Sequence, residues 1–249
     1  MLHRVLTLLL LLGWVLPAVA QQRLNIYTEH FPPYNFLKEN QIVGINTELV
    51  KQACAELNLD CHFQVLPWLR AYEYALKDPQ GAIYSTSRHP MREGLFQWVG
   101  PLASAKTFLY RLKSRPEIAP ENLEQVKNFS VAVARGDIYE LYFLEQGFVH
   151  GKNLLDFSSK AESVPLLLQQ KVDLIIGSDQ VIPVWLAKYG SSADLVVPVL
   201  ALSDLGANYL ALNPAISADL VKQLQASINA QMHSEQLQQI IQRYSVSSD

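Results

Sequence analysis

The chain predicts an α/β fold built in two lobes. Segments with strand-like and helix-like patterns alternate through short links, and this alternation occurs twice. Two extended apolar stretches, 102–112 between the repeats and 206–213 after the second, could be strands that connect the lobes, although periodicity alone does not show that. The first repeat opens with a strand, LNIYT at 24–28, and a Pro-rich aromatic loop at 29–36. Gly44 and Ile45 then lead into a helix, with Asn46 or Thr47 as the expected N-cap. Leu49, Val50, Ala53 and Leu57 keep helical spacing. A strand at 62–65, a helix at 69–76 and a strand at 82–84 complete this unit. The second repeat runs from a strand at 129–133 to Gly136 and Asp137, which open a helix at 138–146. It continues through a helix at 163–170, a strand at 172–176 and a helix at 181–188. Two polar-amphipathic helices, 216–230 and about 234–243, follow the return stretch.

The first twenty residues, MLHRVLTLLLLLGWVLPAVA, read as a secretory signal peptide. His3 and Arg4 form a cationic start, an apolar run follows, and Ala18-Val19-Ala20 is a small-x-small cleavage site. The apolar run is short of the roughly twenty residues needed to span a bilayer. Cleavage after Ala20 leaves a chain that works outside the cytoplasm. Arg4 is the only counted charge removed, so the remaining 229 residues carry 19 basic and 23 acidic side chains, a formal charge of -4. Such a weakly acidic, mixed-sign surface argues against nucleic acid and against a polybasic membrane patch. In an oxidising compartment the pair Cys54 and Cys61 is expected to close, and a bridge from a helix end to a strand start is sterically possible. Two thiols are too few for a structural zinc site. His30, His62, His150 and His233 lack ligand spacing to another His or to a Cys, so no metal or other cofactor is expected.

Several ordered motifs carry a family resemblance. They are Glu29-His30-Phe31-Pro32-Pro33-Tyr34, Gly44-Ile45, Pro67-Trp68-Leu69-Arg70-Ala71 and Ser87-Arg88-His89-Pro90-Met91-Arg92 with Phe96-Gln97-Trp98-Val99-Gly100-Pro101. Later come Val133-Ala134-Arg135-Gly136-Asp137 and Val172-Asp173-Leu174 with Gly177 and Asp179. In order and spacing, over 24–245, the chain resembles bacterial extracellular solute-binding proteins of family 3. The resemblance implies a two-lobed periplasmic-binding-protein-like fold of type II, with two parallel-rich sheets flanked by helices and joined by two crossing strands. Lobe one would hold 21–104 and 209–249, and lobe two 105–208. Ligand would bind in the cleft and be buried by hinge closure.

The resemblance also implies site residues. Arg92 matches the arginine that grips a ligand carboxylate, for which a planar fork of donors is suited; without the motif it reads as a surface arginine or as one pairing with Glu93. Arg88, four residues earlier, competes for that role or is a solvated loop arginine. Phe31, Tyr34 and Trp68 are candidate pocket walls, or ordinary core. Asp179 matches the acid of the second lobe that accepts from a ligand ammonium, and it also suits an N-cap for the helix at 181. Asp137 stands where relatives place a hydroxyl, and it would cap its own helix and repel a ligand carboxylate. His89 departs from the usual Thr, and Met91 from the usual Glu. These departures favour a modified amino acid, a polyamine-like cation or another small polar solute over a plain α-amino acid.

The expected function is therefore a periplasmic receptor, monomeric and not an enzyme, that delivers a small polar solute to an ABC permease in the inner membrane. Two alternatives stay open. One is a sensing module that docks on a membrane sensor. The other is a dehydratase-type enzyme using Glu29 or Asp179 as a positioned acid.

Overall fold

The computed structural model describes residues 21–202, 205 and 207–244, so the leader expected over 1–20 lies outside the described residues. The first lobe begins with β1 (Arg23–Thr28), a small hairpin of β2 (Phe36–Lys38) and β3 (Gln41–Val43), and α1 (Ile45–Glu56). It continues with β4 (Asp60–Val65), α2 (Trp68–Lys77), β5 (Gly81–Thr86), the short α3 (Pro90–Glu93) and β6 (Gln97–Ser104). The second lobe holds β7 (Thr107–Leu112), α4 (Leu123–Val126), β8 (Val131–Ala134), α5 (Ile138–Glu145) and β9 (Leu154–Phe157). A 3-10 turn at Lys160–Glu162 leads to α6 (Ser163–Leu168), β10 (Leu174–Ser178), α7 (Val181–Lys188) and β11 (Val196–Leu202). The chain returns to the first lobe through β12 (Ala207–Leu212), α8 (Ala218–Met232) and α9 (Glu235–Tyr244).

Each lobe is built on one five-stranded sheet, in the orders β4-β1-β5-β12-β6 and β11-β7-β10-β8-β9. In both sheets three parallel strands continue through two antiparallel pairings, β5–β12–β6 and β10–β7–β11, so that only β12 and β7 run against the rest, and β6, β7, β11 and β12 carry the crossings. The chain leaves the first sheet between Ser104 and Thr107 and returns between Leu202 and Ala207. The stretch 102–112 is thus two strands rather than one, broken at Ala105 and Lys106. Ala207 and Asn208 already pair with Ser104 and Ala103 in the first sheet.

Successive residues of the first sheet feed opposite layers, as the period-two geometry of a strand requires. Ile26, Tyr84, Leu210 and Leu212 pack with Leu49, Val50, Leu220, Leu224 and Ile228. Tyr27, Ile83 and Ala211 pack with Trp68, Ala71 and Ala75 of α2. All six residues of β5 and all five of β10 are buried, as expected for strands covered on both faces.

Helix α1 starts without the side-chain cap expected from Asn46 or Thr47, and both residues lie inside it. The preceding loop caps it with backbone instead: Pro33 O accepts from Ile45 N, and Tyr34 O from Asn46 N and Thr47 N. Gly44 makes this approach possible, because at φ +124° a Cβ there would stand 2.4 Å from Tyr34 O. The freed side chains pack inward, where Asn46 Nδ2 donates to Ser85 Oγ at 2.9 Å and Thr47 Oγ1 meets the Tyr84 hydroxyl at 2.8 Å. Strand β10 begins two residues later than its hydrophobic pattern predicts. Asp173 is spent on Ser130, accepting from its N and Oγ at 2.8 and 2.7 Å, and so tethers the strand entrance. Cys54 of α1 and Cys61 of β4 form a disulfide, with their Cα atoms 6.3 Å apart.

Candidate functional site

The carboxyl ends of the parallel strands in both sheets turn toward the seam between the lobes, the usual location of a binding crevice in open α/β sheets. From the first lobe β1 delivers Glu29 and the aromatic loop, and β5 delivers Ser85 and Ser87. From the second, β8 delivers Gly136 and Asp137, β9 delivers the loop with Lys160, and β10 delivers Ser178.

Lys160 is the centre of this seam. Its ammonium donates to Glu29 Oε1 and lies 3.5 Å from Asp137 Oδ2. It also stands 4.6 Å from the ring centre of Phe31 and 5.4 Å from that of Trp68. All three charged side chains are less than one-tenth exposed. Burial opposes the lysine charge, but the carboxylates of Asp137 and Glu29 outweigh it and hold the ammonium above its ordinary pKa. Glu29 is pushed up, first by burial, and Lys160 offsets only part of that.

A second cross-lobe node forms at the carbonyl of Gly136, just before α5. Trp68 Nε1 donates to it at 2.8 Å and Arg92 Nη2 at 2.9 Å. Arg92 is 4 % exposed. Its Nη1 donates to Ser87 O at 3.3 Å, and the guanidinium stacks 5.3 Å from Trp68 and 5.4 Å from Tyr72. Gly136 has φ +71°, and a Cβ there would meet Leu69 Cδ2 at 2.3 Å, so the close approach of the lobes depends on glycine. Its N–H donates to Glu140 Oε2 at 2.6 Å. His150 lies 3.4 Å from both Glu140 Oε1 and Asp156 Oδ1, so its two ring nitrogens face different carboxylates.

Two voids lie along the seam, and Lys160 lines the inner one. An inner cavity of about 20 Å³ is lined by Tyr34, Ser85, Thr107, Ser178 and Asn208 together with Phe31, Asp137 and Lys160. An outer groove of about 390 Å³ runs past Glu29, His30, Leu66, Pro67, Trp68 and Ser159. The hydroxyls of Thr107 and Ser178 and Asp137 Oδ2 make no well-formed hydrogen bond among the described residues, although each is buried. Buried polar atoms of this kind mark a place where a polar guest has something to bind.

Five of the residues expected from sequence meet in the seam. Phe31, Trp68, Arg92 and Asp137 are placed as above. Tyr34 is buried against Phe31 with ring centres 5.2 Å apart, and its hydroxyl donates to Gln180 Oε1 of the second lobe at 3.2 Å. Burial pushes that phenol up to about 12. Asp137 caps α5 as expected, accepting from Ile138 N at 2.7 Å. His89 caps α3 through Nδ1 and reaches Glu145 of the second lobe at 3.3 Å, at the rim rather than inside.

Two expectations change. Arg88 is exposed, paired with Glu93 and stacked on Trp98 and Tyr209, because the turn into α3 aims it away from the seam. It is Arg88, not Arg92, that takes Glu93. Asp179 is exposed as well, and it is neither an acid in the cavity nor a cap for α7, whose N-cap is Gln180 without a side-chain bond. A side chain flips sides at each step of a strand end, and the register of β10 turns Ser178 inward instead. Sequence reasoning missed Lys160, Ser178 and the packing of Trp185 on Phe31 at 6.3 Å. For Glu29 the sequence suggests only the role of an enzymatic acid. No local pattern marks Lys160, which meets Glu29 across 131 residues of chain.

Solved structures support this architecture at low sequence identity. A histidine kinase sensor domain with similarity to periplasmic binding proteins superposes with a TM-score of 0.79 at 17% identity, covering 90% of this chain and 96% of that one. An ancestral arginine-binding protein bound to arginine gives 0.76 at 17% identity, covering 90% and 98%. An amino acid ABC transporter substrate-binding protein from Streptococcus pneumoniae bound to L-arginine gives 0.73 at 18%, covering 89% and 94%. At these identities the likeness speaks for the fold alone. No curated protein matches the sequence. The two crossing strands, the cleft between the lobes and a family profile that matches residues 24–247 agree, and the chain belongs to the bacterial extracellular solute-binding proteins, family 3.

Proposed function

We propose that this protein is a periplasmic receptor, monomeric and exported by a leader cleaved after Ala20, that captures a small polar solute between its lobes and delivers it to an ABC permease. The observation that carries the reading is the placement of Glu29, Asp137, Lys160 and Arg92, four charged side chains each less than one-tenth exposed, along the seam between the two lobes. Buried ion pairs are a poor source of stability compared with apolar packing. A seam selected only to hold the lobes together has little reason to contain them, whereas a polar binding cleft does. The buried hydroxyls of Thr107 and Ser178, which make no well-formed hydrogen bond among the described residues and lie near the phenols of Tyr139 and Tyr34, support a guest with several hydrogen-bonding groups. Arginine, the ligand of several structural neighbours, does not carry over, because a lysine of the chain already occupies the cage of aromatic rings and carboxylates.

A second reading has one observation in its favour, the likeness to a kinase sensor domain. In that case the same closure would be read by a membrane sensor. An enzymatic reading gains nothing from the geometry, since Glu29 is committed to Lys160 and Asp137 to its helix and Lys160.

The test is a thermal-shift screen of 21–249 against amino acids, polyamines, small peptides and organic acids. A ligand at one hundred times its Kd stabilises the folded state by about 2.7 kcal/mol, which raises Tm by a few degrees. A selective hit is expected. A blank across all four classes would overturn the receptor reading for them and move weight to the sensor.

A further inference from the structure

Lys160 lines the inner cavity and contacts residues that line the outer groove. It touches Phe31 and Asp137, which line the inner cavity, and Glu29 and Trp68, which line the outer groove. The inner cavity has room for one water, and the groove for a small solute. Withdrawing the ammonium would join the groove to the hydroxyl-lined interior.

The seam is also formally charge-balanced, with Glu29 and Asp137 against Lys160 and Arg92. Of the further acids, Glu140 is occupied by Gly136 N–H and His150, and Asp179 is exposed to water. A guest ammonium or guanidinium would need the same two carboxylates and two rings that Lys160 already holds. A guest anion would be buried beside Glu29 and Asp137 with both cations already engaged. Burying an uncompensated charge is expensive, so the arrangement favours a guest without net charge.

Resting on the receptor reading, we propose that Lys160 is a built-in cation that plugs the cleft and sets its specificity, excluding free ammonium and guanidinium ligands in favour of polar solutes with no net charge.

The experiment compares 21–249 with its Lys160→Ala variant by calorimetry and melting, with n-propylammonium, the piece of side chain removed, as the probe. The variant is expected to melt several degrees below the wild type, to bind n-propylammonium at least tenfold more tightly, and to recover part of the lost Tm in its presence. A variant that folds only when the probe is present is the same result in stronger form. Lys160→Met, which keeps an apolar stem over Phe31 and Trp68, is expected to fold, to lose Tm and to show no rescue. Equal binding of n-propylammonium by wild type and Lys160→Ala would overturn the proposal. So would a Lys160→Ala variant as stable as the wild type, or one that stays unfolded with the probe while Lys160→Met keeps the full Tm. The rescue needs no natural solute, so a blank solute screen with a successful rescue removes the receptor reading and leaves the plug standing.

Discussion

Arg88 and Arg92 sit four residues apart and carry the same group, and each lies over two aromatic rings. Arg88 is 5.6 Å from Trp98 and 5.5 Å from Tyr209, and Arg92 is 5.3 Å from Trp68 and 5.4 Å from Tyr72. Their surroundings differ. Arg88 and its partner Glu93 keep side-chain exposures of 44% and 47%, while Arg92 is almost fully enclosed and donates to two backbone carbonyls from different lobes. Water screens the first pair and supplies substitutes for each partner. In the second, every bond lost leaves a buried group with nothing in its place. The number of contacts is therefore a poor guide to what each arginine holds together.

The largest effect should come from Arg92→Ala. It removes both carbonyl bonds and leaves Glu29 and Asp137 facing Lys160 alone, a loss of about 3–5 kcal/mol by analogy with broken buried pairs. Urea denaturation of the variant measures it, and a loss under about 1 kcal/mol would place Arg92 with Arg88 as a screened surface charge. Trp68→Phe is a smaller break in the same region. It keeps the ring beneath Arg92 and Lys160 but deletes the Nε1 bond to Gly136 O, and should cost about 1 kcal/mol. If Trp68→Ala costs no more than Trp68→Phe, the ring adds nothing and the stacking argument fails. Smallest is the Arg88–Glu93 pair, for which a double-mutant cycle should give a coupling of at most about 1 kcal/mol, shrinking at high salt. A salt-insensitive coupling of several kcal/mol there would erase the contrast between the two arginines.

The two-lobed layout, the order of its elements and most helix boundaries were legible in the sequence, because apolar periodicity and family motifs report which face of each element is buried. The helix over 181–188 is found where the pattern puts it. Where backbone took over the work of side chains, the pattern misled, as at Asn46 and Thr47, whose capping role went to the carbonyls of Pro33 and Tyr34. At Asp179 the motif is off by one residue, since alternation at a strand end depends on register, and the bond of Asp173 to Ser130 that tethers the entrance of this strand is not announced by local sequence.

Within the site, Phe31, Tyr34, Trp68 and Arg92 came from motifs, but the partner of Arg92 did not. The motif points it at a ligand carboxylate, and the structure gives it Gly136 O. By itself the sequence determined the α/β alternation, and through its family motifs the two-lobed fold and the loops expected at the cleft, while it left the bridge between Cys54 and Cys61 sterically possible. Only the tertiary structure decided that Lys160 enters the cage of Glu29, Asp137, Phe31 and Trp68, and that Arg88 stays outside. The physical reason is that burial and charge compensation are properties of the closed seam, made by groups from both lobes far apart in the chain.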